Sequence, residues 1–137
     1  ADGRTTNQNK QIGTDAEEYI ARKTDGERHP NEWYDVLSGS GRVIEVKSTQ
    51  EIVNDTPATT TDPRNGRFRL WQSQHENLKE EEGVYYFLVD GLPTTRATPE
   101  TVDRVMQEHG LNWTDSGPTH DKGHQVKINW SYLIDPE

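Results

Sequence analysis

Residues 84–89, Val-Tyr-Tyr-Phe-Leu-Val, form a near-continuous apolar run in a 137-residue chain of which only 28% is hydrophobic. A short run of β-branched and aromatic residues closed by glycines fits a strand buried on both faces. Such a strand needs neighbours on either side and layers above and below it, so the remaining sequence has to supply a sheet and covering helices. The length suits one domain with a single core.

Low hydrophobic content and a formal net charge of −9 are also what a disordered chain shows. Four Trp, five Tyr and several alternating segments argue for a folded one. An acidic, Thr-rich surface with few lysines matches a protein kept soluble in concentrated salt, where like charges are screened within ~3 Å at 1 M. An ordinary acidic cytosolic protein has the same balance, so composition leaves both open. With no cysteine, disulfides and thiolate metal sites are excluded. No membrane-spanning run, signal peptide or polybasic arm is visible, and the expectation is a soluble, intracellular (cytoplasmic) protein.

Along the chain, residues 1–12 are polar and aperiodic and read as a flexible tail of one domain spanning 1–137. Thr14 and Glu17 have capping-box spacing, and Ala16 with Ile20 begins an apolar stripe, which predicts a helix over 14–24. Strands are expected at 33–37 and 42–48, joined by Ser38-Gly39-Ser40-Gly41 as a hairpin. Residues 51–66 read as a long polar loop, 68–70 as a short strand, and Trp71, His75 and Leu78 as one face of a helix. Thr98-Pro99 opens a helix with Val102, Val105 and Met106 inward. Residues 112–123 read as loop and 125–133 as a final edge strand. This order predicts an α/β fold with a mixed central sheet flanked by helices.

The chemistry concentrates in the hairpin. In Val43-Ile44-Glu45-Val46-Lys47, residues 43, 45 and 47 share one face and 44 and 46 the other. If the turn is the three-residue loop Gly39-Ser40-Gly41, Asp35 falls opposite Glu45, ~5 Å away between Cβ atoms, and Trp33 opposite Lys47. A four-residue loop would put the two carboxylates on opposite faces. Two facing carboxylates cannot both ionise cheaply unless a cation lies between them. Mg²⁺ takes oxygen ligands and is held by one or two carboxylates plus substrate phosphate. With a lysine alongside, the pattern suits metal-assisted phosphodiester hydrolysis.

Asp35, a nine-residue gap and then Glu45-Val46-Lys47 resembles the signature hairpin of the PD-(D/E)XK nuclease superfamily. Gly13-x-x-x-Glu17 is similar to the helix of archaeal Holliday junction resolvases that contributes a third acidic residue. Gln74, after the hairpin, resembles the polar residue many members set beside the site. The resemblance implies a restriction-endonuclease-like core and a Mg²⁺- or Mn²⁺-dependent DNA nuclease. By the same resemblance Asp35, Glu45, the Val46 carbonyl and Glu17 ligate metal, Lys47 orients water, Gln74 assists, and two copies pair as a homodimer. Tyr34 stands where the motif has Pro, and the 51–66 loop is longer than in compact resolvases, so the DNA structure cut stays open.

Other readings remain beside it. Glu17 alternatively just completes the capping box, and Glu45–Lys47 is alternatively a surface pair. Arg64, Arg67 and Arg69 are the densest basic cluster and are expected to contact DNA phosphates. His75 is either a fourth DNA contact or a half-buried helix residue. His120-x₃-His124 has zinc spacing but no further ligand in view, and reads as a solvated loop. A non-catalytic nucleic-acid-binding domain of the same fold is the alternative to an enzyme.

Overall fold

The structure, a computed structural model, describes residues 6–29, 32–53, 64–90, 92, 94–115 and 123–134. It begins with helix α1 (Thr6–Lys23), followed by strands β1 (Glu27–Arg28), β2 (Val36–Leu37) and β3 (Val43–Thr49). A short ribbon, β4 (Ile52–Val53) and β5 (Arg64–Asn65), leads into β6 (Arg67–Trp71), α2 (Gln72–Glu80) and β7 (Val84–Val89). Strand β8 (Thr95–Ala97), helix α3 (Pro99–Glu108), β9 (Thr114–Asp115), β10 (His124–Asn129) and a 3₁₀ turn at Trp130–Tyr132 complete it.

The apolar run lies where its composition requires. Strand β7 sits inside a five-stranded mixed sheet ordered β1-β2-β3-β7-β8, parallel to β3 and antiparallel to β8. Its alternate residues feed two cores. Val84 and Tyr86 join Ile44, Val46 and Val36 beneath α1, which supplies Ala16, Ile20 and Ala21. Tyr85, Phe87 and Val89 join Leu78 of α2 and Val102, Val105 and Met106 of α3 on the opposite face. Each large side chain so buried contributes roughly 1.5–3 kcal/mol. Thr98 caps α3 by accepting the Thr101 N–H, and Pro99 fills the first turn, as the sequence predicts.

Several expectations need correction. The backbone of residues 6–12 is helical, so α1 begins at Thr6 and Thr14 and Glu17 lie within it, not at its cap. The 51–66 segment is not all loop, since its two ends pair as β4 and β5; residues 54–63 lie outside the described part. The expected strand over 33–37 shortens to β2, with bends before it. Strand β10 is not an edge strand of the main sheet. It is the centre of a second, three-stranded sheet ordered β6-β10-β9, whose Phe68, Leu70, Val126 and Ile128 complete the α2–α3 core. The alternation of β10 was readable, but its partner β6 lies more than fifty residues upstream and no local signal names it.

Candidate active site

The hairpin turn decides the site's register. Ser38 and Arg42 close a three-residue loop: the Ser38 N–H donates to the Arg42 carbonyl and the Gly41 N–H to the Ser38 carbonyl, both at 2.9 Å. Gly41 has φ +89°, a conformation that suits glycine at the end of such a loop. Leu37 therefore pairs with Val43 and Val36 with Ile44, and one step further along that register Asp35 meets Glu45.

Strand β2 stops there, and the carboxylate of Asp35 replaces the missing backbone partner. Its Oδ2 accepts the Val46 N–H at 2.8 Å. Within an extended strand a residue's N–H and C=O point to the same side, so the Val46 carbonyl opens toward this corner too. Glu45 is 2% exposed. Its Oε2 lies 3.3 Å from Lys47 Nζ, while its Oε1 is buried and has no hydrogen-bond partner. Val43, on the same face, packs on the α2–α3 core, whereas Ile44 and Val46 pack under α1. The alternation read from the sequence holds.

Burial is the main cause of the Glu45 carboxyl's rise to about 8; repulsion by Asp35 adds to it and Lys47 opposes it. Asp35 is also raised by burial, against the Val46 N–H and Lys47, which favour its charged form. Two carboxyls in hydrogen-bonding reach, one with an orphan oxygen, share a proton when nothing else neutralises them. That donor set, hard oxygens with unspent lone pairs and an ammonium at the side, fits a divalent cation of the Mg²⁺ type.

Glu17 reaches the neighbourhood from α1 but is engaged by the Arg28 guanidinium, Nε to Oε1 at 3.1 Å. Burial raises its proton affinity, and Asp35 is close enough to add repulsion. Among the described residues no three His, Asp or Glu side chains converge as a metal cage, and Glu17 is turned toward Arg28. Its partner Arg28 had no signal in the sequence, because β1 carries only two residues. Gln74 lies on α2 beside the corner: its Nε2 donates to the Trp33 carbonyl at 3.4 Å and its Oε1 is buried without a partner. Trp33 itself precedes the β2–β3 ladder and is not paired with Lys47.

His75 corrects the expectation of a DNA contact. It is 2% exposed, with Nδ1 2.8 Å from the Tyr85 hydroxyl and Nε2 2.8 Å from Asp103. Both nitrogens are used inside the fold, leaving no donor for a bound strand. Burial lowers its pKa despite Asp103. Asp103, in turn, is held below its ordinary value because Lys79 and His75 outweigh its desolvation. Asp103 and Tyr85 were missed in the sequence; helical spacing marked His75 as inward but could not supply its partners. Arg67 and Arg69 are exposed on β6, with Arg69 over the Trp71 ring at 5.8 Å. For Arg64 the described structure gives only the backbone. His120 lies outside the described residues, and His124 is exposed at the start of β10.

A mixed sheet whose hairpin sets a lone Asp against Glu-x-Lys on the adjacent strand, with a helix across the back, defines a nuclease-type core. The sequence profile of the PD-(D/E)XK nuclease superfamily domain matches residues 3–135, and the chain belongs to that superfamily. No curated protein sequence matches it significantly. Nuclease activity is what this membership carries, and superfamily members typically use divalent metals. No helix among the described residues is long and apolar enough to cross a membrane.

Proposed function

We propose that the protein is a metal-dependent deoxyribonuclease whose active centre is the corner formed by Asp35, Glu45 and Lys47. The observation that carries this is the buried, unpartnered Glu45 Oε1 beside a second carboxylate and an ammonium. A structural ion pair would spend those lone pairs on donors, whereas a site waiting for a cation keeps them open.

Asp35 and Glu45, with the Val46 carbonyl, would hold Mg²⁺ or Mn²⁺. When bound, such an ion stabilises charge on the phosphoryl oxygens and acidifies water. Lys47 Nζ orients the attacking water and offsets negative charge developing at phosphorus. Glu17, tied to Arg28, acts from behind by adding negative field at Asp35. Gln74 braces the Trp33 segment and offers its free Oε1 to water or substrate. Arg64, Arg67 and Arg69 contact the DNA backbone.

The finer reading is a structure-specific endonuclease similar to Holliday junction resolvases, acting as a homodimer and adapted to high salt inside the cell. The excess of acid supports the salt adaptation, since counterion release weakens as salt rises and such an enzyme relies on metal bridging and local cations. A non-catalytic nucleic-acid-binding domain is favoured by one observation, the lack of a third converging carboxylate among the described residues.

Supercoiled plasmid and a four-way junction, incubated with Mg²⁺ or Mn²⁺ from low salt to molar KCl, test the proposal. Nicking or resolution by wild type that disappears in Lys47→Ala is expected; intact substrates across all metals and salts would leave only the binding domain.

A further inference from the structure

The sheet face beneath α1 carries polar groups that the nuclease reading does not use. Helix α1 packs over β1, β2 and β3. Past its end, the hairpin turn, β7 and β8 border a cavity of ≈ 330 Å³. Arg42 lines it from the start of β3, and Arg96 from β8, where it stands opposite Tyr86 of β7. Ile44, Val84 and Tyr86 point to this side of the sheet, whereas Val43 and Tyr85, with Glu45 between them in register, point to the other. The cavity therefore lies across the sheet from Glu45 and Lys47.

Its lining departs from the rest of the chain. The sequence holds 24 Asp and Glu, yet none lines this cavity, which gathers two guanidiniums instead. Neither Arg42 nor Arg96 makes an ion pair or side-chain hydrogen bond among the described residues. Glu81 and Glu82 share a separate hollow with Arg42 and do not pair with it. Tyr86 is 8% exposed, and its hydroxyl also has no hydrogen-bond partner among the described residues. A buried phenol ordinarily finds a partner inside the fold. The Ser38 and Ser40 hydroxyls meet at 2.9 Å; one proton serves that bond, and the other is left to donate. Two guanidiniums brought to one cavity without a carboxylate repel each other, and an oxyanion between them relieves the repulsion.

We propose that this cavity binds a phosphate dianion, either free phosphate or the monoester of a mononucleotide. Guanidinium forks from Arg42 and Arg96 supply matching charge and paired donors, and Tyr86 with the serine pair supplies neutral ones. Size narrows the choice. At ≈ 330 Å³ the cavity is at the small end of ligand pockets, which run from roughly 300 to 1,000 Å³. It suits a single small ligand. A diester within a DNA strand carries one negative charge and continues on both sides, so it matches the paired guanidiniums less well. The site stands whether or not the carboxylate corner cleaves DNA, because it uses none of the same side chains.

The test is isothermal titration calorimetry of the full chain in low-salt buffer free of divalent ions, with inorganic phosphate, deoxyadenosine 5′-monophosphate and deoxyadenosine as probes. Leaving out divalent ions keeps phosphate from being bridged to Asp35 and Glu45. Wild type is expected to bind the phosphate-bearing probes and not the nucleoside. Arg42→Gln/Arg96→Gln is expected to weaken that binding by about tenfold or more, and Tyr86→Phe by a few-fold. Arg104→Gln, which removes an exposed cation of α3, is expected to leave it unchanged. Circular dichroism melting confirms that the variants are folded, and saturating phosphate should raise the Tm of wild type but not of the double variant. Tighter binding of the nucleotide than of phosphate makes this a mononucleotide site; equal binding makes it a site for free phosphate. No binding by wild type, equal binding of the nucleoside and the nucleotide, or equal losses in Arg104→Gln and the double variant overturns the proposal.

Discussion

Glu45 and Tyr85 are buried neighbours on parallel strands, yet they begin two polar groups of opposite character. From Tyr85 outward every link is closed: hydroxyl to His75, His75 to Asp103, Asp103 to Lys79. From Glu45 the links are incomplete. One oxygen meets Lys47, the other meets nothing, and the nearest strand partner is a second carboxylate. A closed network stabilises the fold that contains it. An open one costs stability and is retained where a ligand completes it.

Four experiments break or sharpen this contrast. The largest effect is on turnover: Glu45→Ala and Lys47→Ala are expected to lower plasmid cleavage by about 10²–10⁴-fold, with circular dichroism showing an intact fold. The second is on the closed side. His75→Ala leaves Asp103 and Tyr85 without their partner and opens a cavity, costing roughly 2–4 kcal/mol. Tm should fall by on the order of 10 °C in a thermal melt, and an unchanged Tm would erase the distinction between the two groups.

The third concerns pH. Because the Glu45 carboxyl rises from its ordinary 4.5 to about 8 on folding, the metal-free native state binds a proton that the unfolded chain has already released. That contribution is full below about 4.5 and lost as pH climbs to about 8, so metal-free stability should decline across this window by on the order of a few kcal/mol. Glu45→Gln should flatten most of the decline in Tm measured from pH 5 to 8; Asp35, shifted the same way, leaves a remainder. Added Mg²⁺ should reverse the trend, since bound metal displaces the proton. The smallest effect is expected from Gln74→Ala, which loses a long hydrogen bond to Trp33: about 1 kcal/mol or less in stability, and a few-fold loss in plasmid cleavage rate.

How legible these regions were follows from the range of the interactions that build them. The hairpin was readable from its two-residue period and short glycine-bearing turn, but that the turn holds three residues and not four, and so sets Asp35 opposite Glu45, was decided by the structure. Glu45 and Lys47 share a face by alternation alone, whereas Asp35 joins them only through the three-residue turn. Glu17 was placed on the right helix, but its partner Arg28 depends on how α1 crosses the sheet. His75 was seen as an inward helix residue and given the wrong role, since its partners come from β7 and α3.

From the amino-acid order alone came the central strand, the hairpin with its two alternative registers, the capped helix α3 and the acidic character, because each is set within a few residues. Packing at long range decided everything else: that β10 joins β6 in a second sheet, that Arg96 lines one cavity with Arg42, and that Glu45 is enclosed with an oxygen unsatisfied. Those depend on which distant surfaces exclude water from one another, and burial is a property of the assembled chain that no stretch of sequence carries by itself.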